Sequence, residues 1–257
     1  MAATQPGPLT RSYTFHTDVP AACADGQPCL LGVDEAGRGP VLGPMVYSIC
    51  YCPLERSNDI KSLGFADSKT LNEQERERLL QKICEHRDYI GWGVRVLSPQ
   101  DISQSMLRRN KYNLNSMAHD TTIQLLREAL AANVNIKEVY IDTVGPPESY
   151  EAKLSQLFPY IKITVAKKAD SLYPIVSAAS ICAKVTRDTI IQQWSFAEPG
   201  ADAVLSRAFG SGYSSDPNTV SWLRNNVDPV FGFPGIVRFS WATCSRLLDE
   251  TASSVVW

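Results

Sequence analysis

Three apolar segments of the chain each lead to an acidic residue. The segments cover residues 29–33, 139–141 and 161–166, and their length and composition predict buried β-strands. The acids that follow them are Asp34 with Glu35, Asp142 and Asp170. In an open α/β sheet, functional groups collect just beyond the carboxyl ends of the strands, so these four acids are expected to converge if their strands are neighbours.

The remaining pattern alternates between strands and helices. Residues 45–52 closely follow a Gly-Arg-Gly-Pro turn and are predicted to pair antiparallel with the first strand, and residues 91–97 alternate like another strand. A Thr70 to Glu73 capping-box pattern predicts the start of a helix. Further helices are predicted from Pro99, near residues 113–132 and 148–157, and around residues 177–184. The chain is therefore predicted to be an α/β protein with five strands.

Two adjacent carboxylates at a strand end require a compensating positive charge. Asp34 and Glu35 would lie in low-dielectric surroundings, where an uncompensated charge costs several kcal/mol. An arginine or a hairpin mouth open to water would satisfy the pair, but a hard divalent cation takes carboxylate and water oxygens. Four converging acids are tolerable with roughly two divalent ions between them. We therefore predict a metal site formed by Asp34, Glu35, Asp142 and Asp170.

Composition narrows the class of protein. A chain of 257 residues with 44% hydrophobic content can bury a sizeable core, and its net charge of −2 gives no global sign of a nucleic-acid binder. Any phosphate-binding surface must be local. Seven cysteines without a Cys-x-x-Cys pair argue against a disulfide framework and a zinc site, and predict a reduced, intracellular protein. No signal peptide or membrane-spanning run is expected.

Several other catalytic motifs do not fit the chain. The spacing from Gly37-Arg-Gly39 to Gly43 is wrong for a dinucleotide fingerprint, and Pro40 removes an amide needed at a helix start. The three histidines accompany no serine or cysteine nucleophile motif, and a Walker lysine motif is absent. The chemistry typical of such a carboxylate-rich site is the attack of metal-activated water on a phosphodiester.

Four motifs in order carry a resemblance to the type 2 ribonucleases H. They are Gly32–Gly39, the triplet Asp67-Ser68-Lys69, the strand end 141–145, and the stretch 169–184. Together with Gly210-Ser-Gly-Tyr213, they make the chain most similar to the catalytic component of the eukaryotic enzyme. The resemblance covers about residue 28 to the C-terminus. It implies the ribonuclease H-like fold, a mixed five-stranded sheet flanked by helices, with a helical C-terminal region.

The resemblance also assigns roles to individual residues. The metal-binding and catalytic acids of the family fall on the four acids named above, with Mg²⁺ or Mn²⁺ as two bound ions. Backbone contacts to the ribose 2′-hydroxyl fall on Gly37, Arg38 and Gly39, and Tyr213 matches the tyrosine that packs on the sugar. Related chains usually have proline after this tyrosine, where this chain has Ser214. Phosphate contacts are expected from Lys69, Lys184 and Arg187.

These roles imply an endonuclease that cuts 5′ of a ribonucleotide in a duplex, leaving 5′-phosphate and 3′-hydroxyl ends. Its substrates would be RNA/DNA hybrids and DNA containing single ribonucleotides. The alternatives are another phosphodiesterase of the same fold, such as an integrase or resolvase, and a non-catalytic nucleic-acid-binding protein of a larger complex. The former should lack the Gly-Arg-Gly and tyrosine pair, and the latter should lose an acid.

The domain organisation follows from composition in the first segment and from the same resemblance in the rest. Residues 1–27 are expected to be a poorly ordered tail, residues 28–194 the catalytic domain, and residues 195–257 a region that completes the substrate cleft and a partner surface. The last region carries many large apolar side chains, which either close the core or cover a partner. The eukaryotic resemblance implies two accessory subunits in a heterotrimer, action in the nucleus, and no membrane association.

Overall fold

The computed structural model describes residues 3–65, 71–110, 112–143 and 145–253. The strands are β1 Tyr13–His16, β2 Cys29–Ala36, β3 Met45–Pro53, β4 Gly91–Leu97, β5 Ile136–Asp142 and β6 Lys162–Ala166. The helices of the first part are α1 Ser57–Ser62, α2 Glu73–Glu85, α3 Pro99–Leu107, α4 Leu114–Ala131 and α5 Pro147–Leu157. Those that follow are α6 Ala169–Leu172, α7 Pro174–Gln192, α8 Ala201–Val204, α9 Pro217–Asn225 and α10 Ala242–Thr251.

The strands form one mixed sheet in the order β1-β4-β3-β2-β5-β6. β2, β3, β4 and β1 pair antiparallel, whereas β2, β5 and β6 run parallel to one another. Val33 of β2 lies opposite Ile141 of β5 in the register, so these neighbouring strands end at the same edge of the sheet. This edge carries the acids of β2 and β5. The α/β class and the mixed sheet flanked by helices are confirmed.

The sheet has six strands rather than the five predicted. The additional strand, β1, comes from the segment predicted to be a poorly ordered tail, and it pairs antiparallel with the outer edge of β4. Phe15 packs on Trp92, and the Tyr13 hydroxyl donates a hydrogen bond to the Ala3 carbonyl. A strand of four residues is too short to give a clear local pattern, and the backbone pairing with β4 completes it.

Helices cover both faces of the sheet. The long helix α7 packs on β2 and β3 together with α1 and α2, while α3, α4 and α5 cover the opposite face. Gly32 permits a very close approach of α7, because a Cβ at this position would lie 2.4 Å from the carbonyl oxygen of Ile175. The strand that carries Asp34 is therefore held tightly against the helix.

The helix starts largely follow the predicted signals. Ser98 accepts a hydrogen bond from the Asp101 backbone N–H at the start of α3, as its position before Pro99 predicts. The capping box of α2, however, is formed by Asn72 and Glu75 instead of Thr70 and Glu73. Asn72 accepts from the third helical residue, which is the geometry that a capping box needs. Thr70 lies outside the described residues.

The C-terminal region contains α8, α9 and α10, as the predicted helical character requires. Trp222, Phe233 and Val237 are buried in the core, whereas Val230 and Phe231 are exposed. The large apolar residues of this region thus divide between core closure and open surface. The domain boundaries at residues 28 and 195 stay predictions. Among the described helices, none combines the length and apolar character needed to cross a membrane.

Candidate active site

The four acids lie where the parallel strands end. Asp34 and Glu35 are consecutive residues near the end of β2, so their side chains point to opposite faces of the sheet. Asp142 is the last residue of the neighbouring β5. Asp170 lies beyond β6, in the short helix α6, after a turn in which Lys168 adopts a left-handed conformation with φ 58°. Asp34, Glu35 and Asp142 are therefore neighbours at one edge of the sheet, where the charges of Glu35 and Asp142 act on Asp34. Asp170 lies beyond its strand end, and the convergence of all four acids into one site stays a prediction.

Backbone hydrogen bonds orient these carboxylates. The backbone N–H of Glu35 donates to Asp34 Oδ1 at 2.7 Å, and the N–H of Ala169 donates to Asp142 Oδ1 at 2.7 Å. The second contact joins the end of β5 to the start of α6, and it therefore fixes Asp142 relative to Asp170. The hydroxyl of Ser177 on α7 donates to the Asp170 carbonyl. The acid edge is positioned by three elements that meet there.

The electrostatics of the site disfavour negative charge on Asp34. Burial raises the pKa of this carboxyl well above its usual value, and the neighbouring charges of Glu35 and Asp142 raise it further. Hydrogen bonds from the Ser180 side chain and the Glu35 backbone oppose this shift only in part. Asp34 is 5% exposed and Asp170 2% exposed. A positive partner at this edge would relieve the repulsion.

The donor set at this edge is suited to a hard divalent cation. Carboxylate oxygens are the ligands preferred by Mg²⁺ and Mn²⁺, and the repulsion around Asp34 is the charge that such an ion would neutralise. In residues 3–65, 71–110, 112–143 and 145–253, no three His, Cys, Asp or Glu side chains stand in metal-binding geometry. Filling a coordination sphere would therefore require rotation of the carboxylates about their side-chain bonds.

The Gly37–Gly39 turn beside the acids is held by residues from the far end of the chain. The fully buried guanidinium of Arg238 donates to the carbonyls of Gly37 at 2.6 Å and Arg38 at 3.0 Å. It also donates to the carbonyl of Gly43 at 2.8 Å. The indole N–H of Trp241 donates to the Gly39 carbonyl at 3.0 Å. All three carbonyls of the turn are thus bound from one side.

This arrangement sets the direction of the turn's N–H groups. The chain has no cis peptide among its described residues, and in a trans peptide the C=O and the following N–H point in opposite directions. Since the carbonyls of Gly37 and Arg38 face Arg238, the N–H groups of Arg38 and Gly39 face away from it. The turn therefore presents two backbone donors on the side opposite the buried arginine.

Arg187 does not occupy the exposed position expected of a phosphate contact. Its buried guanidinium donates to the carbonyls of Pro44 and Leu42 at 3.2 Å each. Gly37 has φ 77°, and a Cβ there would lie 2.0 Å from Arg187 Nε, so the glycine is required by this packing as well as by the backbone conformation. One-turn spacing with Lys184 predicts a shared helix face, but the side chain satisfies buried carbonyls instead.

Tyr213 lies directly on the Gly-Arg-Gly turn. Its ring carbon Cε1 is 3.0 Å from the place a Cβ on Gly39 would occupy, and 47% of the tyrosine is exposed. The Gly212 carbonyl accepts the N–H of Val41 at 2.8 Å, which ties the tyrosine loop to the turn. Thr219 and Asp216 hold the loop from below through its backbone N–H groups. These contacts hold the loop next to Ser214, the position at which the resemblance implies a proline.

The two lysines expected to contact phosphate have different outcomes. Lys69, with the rest of its Asp67-Ser68-Lys69 triplet, lies outside the described residues. Lys184 on α7 is partly exposed, and its Nζ lies 2.8 Å from Asp188 Oδ1. Its role toward a phosphate stays a prediction.

Comparisons with known proteins identify the family of the chain. The ribonuclease HII family profile matches residues 31–244, a span that contains all four acids, the turn and Tyr213. The chain belongs to the ribonuclease HII family. It is 59% identical over 239 residues to a component of ribonuclease H2 from Mus musculus, covering 93% of this chain and 78% of that protein. Identity to the corresponding Homo sapiens protein is 58%, with 93% and 79% covered.

Solved structures show the same fold. The ribonuclease H2 of Pyrococcus horikoshii superposes with a TM-score of 0.69 at 29% identity, covering 87% of this chain and 98% of that one. A Bst-RNase HIII structure in complex with Mn²⁺ shares the fold, with a TM-score of 0.64 at 21% identity and coverage of 90% and 72%. This ribonuclease HII chain is therefore a hydrolase, a ribonuclease H of type 2, in the ribonuclease H-like fold.

The sequence analysis did not identify the residues that donate hydrogen bonds to the carbonyls of the turn. Arg238 lies between Val237 and Phe239, and a single cation in an apolar run is a signal that a buried arginine is binding backbone carbonyls. Trp241 stands out in the sequence only as one of many apolar groups in the C-terminal region. Ser180, whose side chain hydrogen-bonds Asp34, looks in the sequence like a small residue that permits close packing.

Proposed function

We propose that the chain is an endoribonuclease that hydrolyses the phosphodiester 5′ of a ribonucleotide. Its substrates are RNA/DNA hybrids and duplex DNA with single embedded ribonucleotides, and its products carry 5′-phosphate and 3′-hydroxyl ends. The observation that carries this proposal is the position of the acid edge beside a turn with two outward N–H groups and an exposed tyrosine ring.

Recognition of the ribonucleotide is assigned to Gly37, Arg38, Gly39 and Tyr213. The outward N–H groups of the turn can bind the 2′-hydroxyl, the group by which a protein distinguishes RNA from DNA at one position. The ring of Tyr213 is exposed over Gly39 and provides a flat surface for the sugar. Because buried arginines fix the turn before substrate arrives, little ordering is needed on binding.

Catalysis is assigned to Asp34, Glu35, Asp142 and Asp170 as ligands of divalent metal, with two Mg²⁺ or Mn²⁺ ions as the expected number. When bound, the metal supplies activation of the attacking water and stabilisation of the leaving oxygen. The protein's contribution is to orient the carboxylates through the backbone of Glu35 and Ala169. The fit rests on the carboxylate donor set and on the repulsion around Asp34.

The chain is further proposed to act with two accessory subunits in a heterotrimer in the nucleus, removing ribonucleotides during DNA replication and repair. The relatives from Mus musculus and Homo sapiens, which are named as single subunits of ribonuclease H2, support this assembly. The exposed Phe231 and Val230 offer an apolar contact in the C-terminal region. Co-expression with candidate accessory chains, followed by light scattering, tests the assembly; a purely monomeric chain would contradict it.

A cleavage assay tests the proposed activity. Three duplexes of equal length are compared at fixed salt, with one embedded ribonucleotide, a continuous RNA strand, or DNA alone, each with and without Mg²⁺. We expect metal-dependent cutting 5′ of the ribonucleotide in the first two and extremely poor cutting of the third. End labelling identifies the product termini. Efficient cleavage of DNA alone would instead favour an integrase-like activity.

A further inference from the structure

A small cavity lies next to the acid edge, on the face of the sheet covered by α4 and α5. Its volume is about 210 Å³, which is ample for a small polar group or ordered water. Two residues of the acid edge, Glu35 and Asp142, line one side of the cavity. Its other polar lining includes Arg38, Asn115, His119, Thr122, Ser149 and Tyr150.

The lining is rich in hydrogen-bond donors. Arg38 reaches from the Gly-Arg-Gly turn into the lining and donates to the side-chain oxygen of Asn115, which leaves the Asn115 amide NH₂ as a donor. The Tyr47 hydroxyl lies beside the same guanidinium. Arg38 carries a permanent charge, so the cavity has one fixed positive group close to the acids.

Two buried hydroxyls in the cavity wall lack a hydrogen bond of normal geometry. Tyr150 is 5% exposed and Thr122 1% exposed, and within the described residues the two hydroxyls interact with each other but have no further partner. The Tyr150 ring stacks on His119 with centroids 3.8 Å apart, which holds its hydroxyl in place. Buried polar groups in folded proteins are nearly always satisfied, so these hydroxyls are suited to a ligand or an ordered water.

We infer that this cavity binds a backbone phosphate of the cleaved strand, next to the scissile phosphate. Phosphate oxygens accept from guanidinium, amide and hydroxyl donors, which is the set that Arg38, Asn115 and Tyr150 provide. The inference rests on the proposed function, because the strand must already lie across the acids. The negative charges of Glu35 and Asp142 at the border make this subsite dependent on bound divalent metal.

The inference assigns Asn115 and Tyr150 a part in binding without a part in the chemistry. Asn115 positions the Arg38 guanidinium and adds an amide donor, whereas Tyr150 adds a hydroxyl from the cavity wall. Loss of either group should therefore weaken binding and raise KM while changing kcat little. A purely structural role would lower stability without changing the response to one phosphate.

A cycle between protein variants and neutralised phosphates tests the inference. The full chain keeps all four acids, Ca²⁺ replaces Mg²⁺ to prevent cutting, and affinity is measured for duplexes with one ribonucleotide. Each phosphate near the scissile position is replaced in turn by an uncharged methylphosphonate. The variants are Asn115→Ala and Tyr150→Phe. The matched controls are Asn58→Ala in α1 and Tyr160→Phe in the turn after α5, both at exposed positions.

We expect one methylphosphonate beside the scissile position to lower the duplex affinity of the wild type about tenfold. The same substitution should lower the duplex affinity of Asn115→Ala or Tyr150→Phe by less than about threefold. The controls should respond like the wild type. Equal responses of all proteins at every phosphate would overturn the inference. It would also be overturned if the affinity difference between the wild type and the two variants disappeared on removal of a neighbouring base and persisted on neutralisation of the phosphate. If the wild type bound ribonucleotide-containing and all-DNA duplexes alike, ribonucleotide recognition would fail while the phosphate map remained interpretable.

Discussion

The acid edge and the Gly-Arg-Gly turn lie side by side but are built in different ways. The acids are placed by strands and by backbone contacts close to them, such as the Ala169 N–H on Asp142. The turn is held by Arg238 and Trp241, which lie about 200 residues further along the chain. Under the proposed function, the chemistry would depend on the segments that carry the acids, whereas substrate discrimination would depend on docking of the C-terminal region.

The largest effect is expected from the acid edge. Asp34→Asn or Asp142→Asn removes a ligand charge while keeping the side-chain shape, so kcat should fall at least ~100-fold, equivalent to roughly 2.7 kcal/mol. Duplex affinity should change little. Single-turnover rates at saturating substrate provide the measurement, with Asp249→Asn on the exposed face of α10 as control. Near-normal rates in both variants would show that these acids are not catalytic.

The second largest effect is expected from a substitution that loosens the Gly-Arg-Gly turn and leaves the four acids unchanged. Arg238→Met leaves the carbonyls of Gly37, Arg38 and Gly43 without their donor, so the free energy of unfolding should fall by about 3 kcal/mol. The preference for ribonucleotide-containing over all-DNA duplex should fall at least ~tenfold. Denaturant titration and paired cleavage rates measure both, with Arg246→Met on α10 as the exposed control. Unchanged discrimination in a folded Arg238→Met chain would separate the turn from recognition.

The third effect distinguishes recognition of a single ribonucleotide from recognition of a continuous hybrid. Tyr213→Ala removes a ring whose stacking contributes about 1–3 kcal/mol, so cleavage at a single ribonucleotide should fall ~10-fold or more. A continuous hybrid should lose less, because only the single ribonucleotide requires the junction with DNA to be sensed. Rates on both duplexes are compared with those of Tyr160→Ala, a fully solvated tyrosine. Equal losses on both substrates would reduce Tyr213 to general packing.

The smallest effect concerns stability at the acid edge. Since the folded pKa of Asp34 is raised, its ionisation destabilises the fold as pH rises from about 4 toward the folded pKa. At pH 8 without metal, Asp34→Asn should raise the free energy of unfolding by about 0.5–2 kcal/mol, and this gain should vanish near pH 3. Millimolar Mg²⁺ should raise the Tm of the wild type more than that of the variant. Calorimetry with and without metal decides the point; equal Tm shifts would argue against Asp34 as a ligand.

The acids could be predicted from the sequence because each belongs to a local apolar segment with a clear end. The order of β2, β5 and β6 then follows from ordinary α/β topology. β1 could not be predicted, since its four residues are stabilised mainly by pairing with β4. The sequence places Asp170 just after the third apolar segment, but the left-handed turn at Lys168 that puts it in α6 has no simple residue signature.

The recognition side could be predicted only in part. The resemblance assigns Gly37 and Gly39 to substrate contact, which stays a prediction. The structure shows another reason for Gly37, the guanidinium of Arg187, which spacing alone places on an exposed helix face. Arg238 contacts the turn across 201 residues of sequence at Gly37, a separation that no local pattern encodes. Contacts of this kind become visible only once the chain is folded.

The short first strand has a consequence for the behaviour of the molecule at high concentration. Residues 13–16 occupy the outer edge of β4, so they cover backbone donors and acceptors that would otherwise be open to another chain. A protein trimmed to begin at residue 17 would keep every residue of the acid edge and the turn, but the edge of β4 would be exposed to solvent. We expect such a protein to self-associate through this sheet edge while each folded molecule keeps its cleavage rate. Resistance to self-association and catalytic activity would then be separable properties.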